Sequence, residues 1–202
     1  MKEFFNKNGK KIIGVIILII FIGVICFFAY KKQTPATINP AVKISDYKSI
    51  DLSSVTEEDN VQDVILLDLL DKSEVPAPSE EDINEYVDAL DDFYTEYADE
   101  LGIDKETFIA EYVGIDNFDE VARENAIQYL NSKVILEEIA NREKIEFTDE
   151  DYDKYLETLI DGTVFDSVEA YKEQIEIYGE TEDMREAAYF DKILNYIYDL
   201  NK

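Results

Sequence analysis

The feature that most constrains this chain is an unbroken apolar run near its start. Residues 12–30 read IIGVIILIIFIGVICFFAY, which is 19 uncharged and mostly apolar positions. At 1.5 Å per residue, a helix of that length crosses the hydrocarbon core of a bilayer, which is about 30 Å thick. Lysines flank the run on both sides, and a cleaved signal peptide would be shorter and would end in small residues. We therefore expect a transmembrane signal-anchor at residues 12–30, preceded by a short basic tail at residues 1–11.

The run also divides the charge of the chain very unequally. The whole chain has 19 basic and 47 acidic residues, a net charge of −28, whereas residues 1–32 hold six lysines and one glutamate. Residues 33–202 therefore carry −33, which repels nucleic-acid phosphates and anionic lipid headgroups. A plain solvated acidic surface is the simpler interpretation of that charge. We expect a single-pass cell-membrane protein with an extracytoplasmic C-terminal domain and no nucleic-acid partner.

Missing residue types exclude several kinds of catalysis. The chain has no histidine, and its single cysteine, Cys26, lies inside the apolar run. Ser-His-Asp and Cys-His catalysis, histidine-ligated zinc and an intrachain disulfide are thereby ruled out. The acidic stretch at residues 149–153 fails as a calcium loop, because Lys154 and Ile160 stand where an EF-hand needs Gly and Glu. We expect no enzyme activity, no cofactor and no metal.

Downstream of the anchor, the sequence predicts a linker followed by an all-α domain. The linker, residues 31–56, contains two prolines and a loosely alternating stretch at 42–52 that suggests a short strand or an extended segment. The last predicted helix has two apolar stripes, so we expect it to be central in the domain at residues 57–202. Apolar periodicity, caps and breakers predict helices over residues 58–72, 79–101, 104–113 and 117–144, from Thr148, from Asp166 or Ser167 to about Gly179, and over 181–200.

Four aromatic side chains are candidates for binding unfolded polypeptide. The apolar seam of the second predicted helix consists of Ile83, Val87, Leu90, Tyr94, Tyr97 and Leu101. Tyr86 and Phe93 flank that seam, while Phe108 and Tyr112 are four residues apart on a short helix with few apolar neighbours. Exposed aromatic rings on rigid helices suit unfolded apolar segments, because they offer a large apolar face. Packing in the core is the alternative for each of the four.

Two stretches resemble a known family. The sequence AIQYLNSKVILEEIANREKIEFTDEDYDKYL, at residues 126–156, resembles the core of the trigger factor C-terminal domain, and VILLDLLDKSEVPAPSEEDINEYV, at 64–87, resembles its preceding helices. The resemblance covers residues 61–200 and implies an irregular multi-helix domain with chaperone arms. The ribosome-docking and FKBP isomerase domains of trigger factor have no counterpart here. A membrane anchor is closer to extracytoplasmic foldases such as SurA and PrsA, whose helical regions look similar.

This resemblance implies a membrane-anchored chaperone, a holdase or foldase for unfolded or newly translocated polypeptides. It implies neither catalysis nor ribosome docking. The alternative is an envelope scaffold whose helices dock one dedicated partner protein. An active prolyl isomerase is a third class, and the missing isomerase domain argues against it.

Overall fold

The computed structural model describes residues 41–56, 60–160, 163, 165–179 and 181–202. The predicted basic tail and the predicted anchor at residues 12–30 lie outside these residues. Across the described ranges, no helix is both long and apolar enough to cross a bilayer. The helices of the described residues are α1 (Val61–Lys72), α2 (Glu80–Leu101), α3 (Lys105–Phe108) with a π-helical turn (Ile109–Val113), α4 (Phe118–Glu143), α5 (Asp149–Ile160), α6 (Val168–Tyr178) and α7 (Thr181–Asn201).

The regular elements of the described residues are all helical, which confirms the all-α prediction for the domain. The stretch at residues 42–52 forms no strand of a sheet, and it is not extended throughout, because the amide of Ser49 donates to the carbonyl of Asp46 at 3.1 Å in a turn. Its β-type contact is an isolated antiparallel bridge between Lys43 and Glu74. The predicted helix at residues 104–113 is found, although its second half forms a π-helical turn.

Capping chemistry fixes several helix ends where the sequence predicts them. Ser79 accepts a hydrogen bond from the backbone amide three residues on at 3.1 Å, and Gly102 ends α2 with a φ of 69°. Before α5, the carboxylate of Asp151 accepts from the backbone amide of Thr148 at 2.8 Å. Ser167, rather than its acidic neighbour, caps α6 by accepting from a backbone amide at 3.2 Å. Local side chains therefore determine where these helices begin and end.

The body of the domain consists of α1, α4 and α7. Ile65 of α1, Ile139 of α4 and Ile193 and Ile197 of α7 are fully buried where these helices meet. The last helix, α7, contacts α1, α4, α5 and α6. The prediction that the C-terminal helix is central is therefore confirmed.

Two cross-contacts show that α4 and α7 run parallel. The hydroxyl of Tyr129 donates to Glu186 at 2.7 Å, and further along both helices the hydroxyl of Tyr196 donates to Glu143 at 2.6 Å. Both N-terminal halves therefore point towards the same end of the molecule. We call the opposite end, where α4 and α7 finish, the base.

The first arm is formed by α2, α3, the π-helical turn and the N-terminal half of α4. Here α2 lies antiparallel to α4, because Tyr94 contacts Phe118 at 5.6 Å between ring centroids and Tyr86 contacts Tyr129 at 5.4 Å. The turn between α2 and α4, residues 101–118, is consequently the tip of this arm.

The second arm is formed by α5, α6 and the start of α7. It has a small core of its own, composed of Tyr152, Leu156, Ile175, Met184 and Ala188. Because the last two residues lie in the first half of α7, this arm also belongs to the end of the molecule opposite the base.

Candidate client-binding site

Six aromatic rings meet at the tip of the first arm. We call this set the aromatic tip, and its members are Phe93, Tyr94, Tyr97, Phe108, Tyr112 and Phe118. A continuous row of ring contacts runs from Phe93 to Tyr97 at 4.6 Å, from Tyr97 to Phe108 at 6.4 Å and from Phe108 to Tyr112 at 5.5 Å. The rings of Phe108 and Tyr112 are stacked, with an interplanar angle of 14°. Such ring pairs hold each other in place and limit side-chain freedom.

Local sequence explains why these rings converge. Asp104 begins α3 by accepting from the backbone amide of Thr107 at 2.8 Å, and hydrogen bonds from this residue lower the pKa of the Asp104 carboxyl group. The following π-helical turn ends at Gly114, whose φ is 78° and whose amide donates to the carbonyl of Ile109 at 2.8 Å. A left-handed backbone conformation is readily available to glycine, so the chain can reverse here into α4.

The four sequence candidates occupy different environments. Tyr86 and Phe108 are buried, at 5% and 2% exposure. Packing in the core, the alternative to an exposed binding position, therefore applies to these two rings. Phe93 is half-buried, whereas Tyr112 is 40% exposed. The structure brings Phe93, Phe108 and Tyr112 together in the aromatic tip. It places Tyr86 apart from them, against Tyr129. That any of these rings binds a client stays a prediction.

Four further residues belong to the same region and are not among the sequence candidates, namely Tyr94, Tyr97, Leu101 and Phe118. Tyr97 lies on the predicted seam of α2, and its four-residue spacing from Phe93 is a signal in the sequence that places both rings on one face. Phe118 opens α4 and contacts Tyr94. Leu101, also assigned to the seam, is 41% exposed at the end of α2 and adds apolar surface to the tip.

The first arm is intensely acidic around these rings. Residues 80–120 contain 16 acidic side chains and one lysine, a net charge of −15. That lysine, Lys105, pairs with Asp91 and lies 5.7 Å from the centroid of the Phe118 ring. An exposed apolar surface set in such a field attracts cationic partners and repels acidic ones.

The site offers binding surface rather than reactive groups. Among the residues that the structure describes, no three His, Cys, Asp or Glu side chains are grouped so that they could hold a metal ion. Within the aromatic tip, burial raises the pKa of the Tyr94 hydroxyl, so this group remains neutral near pH 7. What the arrangement can do chemically is to present the exposed part of the Tyr112 ring to an apolar partner.

Comparison with known proteins gives one finding on the family. A family model described as bacterial trigger factor protein (TF) C-terminus matches residues 54–199. That range contains both arms and the body except for the last two residues of α7. Comparisons with curated proteins and with solved structures give no match.

Proposed function

Because the chain belongs to the family of the bacterial trigger factor C-terminus, we propose that it is a membrane-anchored chaperone holding unfolded or newly translocated polypeptides. It catalyses no reaction in this proposal, and its domain lies on the extracytoplasmic side of the cell membrane. The observation that carries the proposal, beside the family, is the aromatic tip, where the partly exposed ring of Tyr112 is stacked on Phe108.

The geometry suits weak holding of apolar segments. Tyr112 offers an apolar face and a hydroxyl that can remain hydrated, and its ring is already ordered by Phe108. Little side-chain entropy is then lost when a client binds, which helps a small contact surface to be effective.

Charge and tethering would support the same activity. The net charge of −15 on residues 80–120 keeps a complex with an apolar client soluble and favours clients with basic residues. An anchor at residues 12–30 would raise the concentration of the chaperone beside polypeptides that emerge from the membrane.

The test is suppression of aggregation by the full chain in lipid nanodiscs. A reduced, unfolded model protein is diluted into buffer with and without the chain, and light scattering is followed. We expect scattering to fall as the chain approaches equimolar amounts. Unchanged scattering at a several-fold excess of chain would contradict the proposal. In a proline-limited refolding assay, the same sample should leave the rate unchanged.

A pull-down from membranes distinguishes a chaperone from a scaffold. A chaperone recovers many polypeptides, each in substoichiometric amount, and releases them once they fold. Recovery of a single stoichiometric partner would instead favour the envelope scaffold.

A further inference from the structure

An irregular segment with a turn at its middle packs against the base of the domain. We call residues 42–52 the strap. Lys43 and Glu74 exchange two backbone hydrogen bonds of 2.9 Å, and the amide of Ser45 donates to the hydroxyl of Ser73 at 3.0 Å. The strap thus pairs with the chain immediately after α1.

A single carboxylate binds the middle of the strap to both long helices of the body. Glu143, the last residue of α4, accepts from the hydroxyl of Tyr47 at 2.5 Å and lies 2.7 Å from the ammonium group of Lys48. Its other oxygen accepts from Tyr196 of α7 at 2.6 Å. The hydrogen bond from Lys48, together with those from the two tyrosines, lowers the pKa of Glu143 to about 2. The carboxylate is therefore charged at every physiological pH.

The end of α7 holds the strap a second time. The side chain of Asn201 accepts from the amide of Ile50 at 2.8 Å and donates to the carbonyl of Tyr47 at 2.9 Å. Val42, Tyr47 and Ile50 of the strap are buried, at 4%, 7% and 6% exposure. The strap is therefore part of the folded domain, although the family match begins only at residue 54.

These contacts fix where the chain enters the domain relative to the arms. The strap touches the C-terminal ends of α4 and α7, whereas the arms lie at their N-terminal ends. Along α4, Phe118 and Glu143 are 25 positions apart, which is about 38 Å at the rise of an α-helix. A polypeptide that arrives from residue 41 thus enters at the base, far from the aromatic tip.

We propose that the strap is a rigid mount that turns both arms away from the membrane. This inference rests on the anchor of the proposed function. With the strap fastened, the base faces the lipid and the tip stands about 40 Å further out, well beyond a Debye length of about 8 Å. With the strap released, residues 41–60 would be added to the chain between the anchor and the domain, and the tip could reach the headgroups.

The test measures the height of the tip above the bilayer. The full chain with Cys26→Ser carries a fluorescent donor on Glu111→Cys, at the exposed edge of the tip, and is reconstituted into nanodiscs with acceptor-labelled headgroups. We expect a narrow donor-lifetime distribution with little energy transfer. Tyr47→Ala with Ile50→Ala, and separately Glu143→Ala, should broaden the distribution and increase the transfer.

Two controls keep these results interpretable. Lys43→Ala removes a side-chain ion pair in which both partners are more than 70% exposed, so it should leave the energy transfer unchanged. Circular dichroism must show that the helices persist in the released variants. The double variant Tyr47→Ala with Ile50→Ala alters no residue of α4 or α7. Its effect therefore reports release of the strap and not damage to the body.

The outcomes separate this inference from the proposed function. A liposome flotation assay reports the anchor, and aggregation suppression reports the chaperone. A chain that does not float overturns both the anchor and the mount. A chain that floats, but shows equal energy transfer in wild type and released variants, or a wild-type tip at headgroup level, overturns the mount alone.

Discussion

Tyr112 allows the client-binding proposal to be tested with one side chain. Replacement by Ser removes the exposed ring and its stacking on Phe108, and leaves the buried rings in place. An aromatic pair is worth about 0.5–1.5 kcal/mol, so we expect a labelled unfolded peptide to bind roughly two- to tenfold more weakly. Fluorescence anisotropy measures this change.

A matched control removes apolar surface elsewhere. Leu67 is 61% exposed on α1 and lies outside the aromatic tip, so Leu67→Ser should leave peptide affinity unchanged. An equal loss in both variants would show that binding follows general surface hydrophobicity instead of the tip.

Glu143 makes stability depend on pH in a defined direction. Its pKa is about 2 in the folded domain against an ordinary value of 4.5, so its contribution is present above pH 4.5 and is lost as the pH falls towards 2. The free energy of unfolding of Glu143→Gln should therefore lie below that of wild type at pH 7, and the gap should narrow between pH 4.5 and 2.

Urea titrations across this pH range measure the gap. Glu124→Gln changes an exposed carboxylate of the same helix and controls for the loss of one negative charge. If the difference in unfolding free energy between wild type and Glu143→Gln stayed constant from pH 7 to 2, Glu143 would stabilise the domain through packing and not through its charge.

At the scale of secondary-structure elements, the sequence predicts where the helices begin and end better than it predicts which side of each helix is buried. The caps at Ser79 and Thr148 and the stop at Gly102 are local interactions, so they can be read without knowing the fold. The seam of α2 was predicted less well, because Tyr86 and Ala98 are buried while Leu101 is exposed. Which side of a helix is covered depends on the helix packed against it, here α4.

Prediction of the candidate site from the sequence has the same limit, because it also depends on how the helices pack. The spacing of Phe93, Phe108 and Tyr112 indicated aromatic surface, but only the reversal of the chain at the arm tip brings them together. Burial of Phe108 follows from that reversal, which places its ring against Tyr94 and Tyr97. Contacts between separate helices of this kind leave no periodic signal in the sequence.

Substitutions of Gly114 test whether the π-helical turn requires a residue with a left-handed backbone conformation at its end. An L-residue with a side chain is disfavoured in this conformation by about 1–2 kcal/mol, so Gly114→Ala should lower the free energy of unfolding by that amount. Asn tolerates the conformation better, so Gly114→Asn should recover part of the loss in the same urea titration. Equal effects of Ala and Asn would mean that the backbone conformation is not the cause.

The central position of α7 predicts an unusual sensitivity near the C-terminus. Ile197 is fully buried and Leu200, one turn later, is 41% exposed. We expect Ile197→Ala to cost about 2–5 kcal/mol of unfolding free energy and Leu200→Ala to cost less than about 0.5 kcal/mol. Chemical denaturation measures both, and similar costs would argue against a core that extends into the last turns.

At the scale of the whole molecule, charge should select among clients. Residues 33–202 carry −33, so a lysine-rich unfolded peptide should bind more tightly than a glutamate-rich peptide with the same apolar residues. The preference should shrink when salt rises from about 0.05 to 0.5 M, because the Debye length falls. Anisotropy titrations at both salt concentrations measure it. A preference that does not respond to salt would point to contacts other than charge.

The separate core of the second arm has a dynamic consequence. Five buried residues hold α5 and α6 on the start of α7, whereas the body shares a far larger interior. Because local opening is easiest where little apolar surface is buried, α5 and α6 should detach from α7 and rejoin it together while the body stays intact. Amide protons in α5 and α6 should then exchange with solvent well before those in the second half of α7. Such local opening would let the same domain make room for large clients and close around small ones.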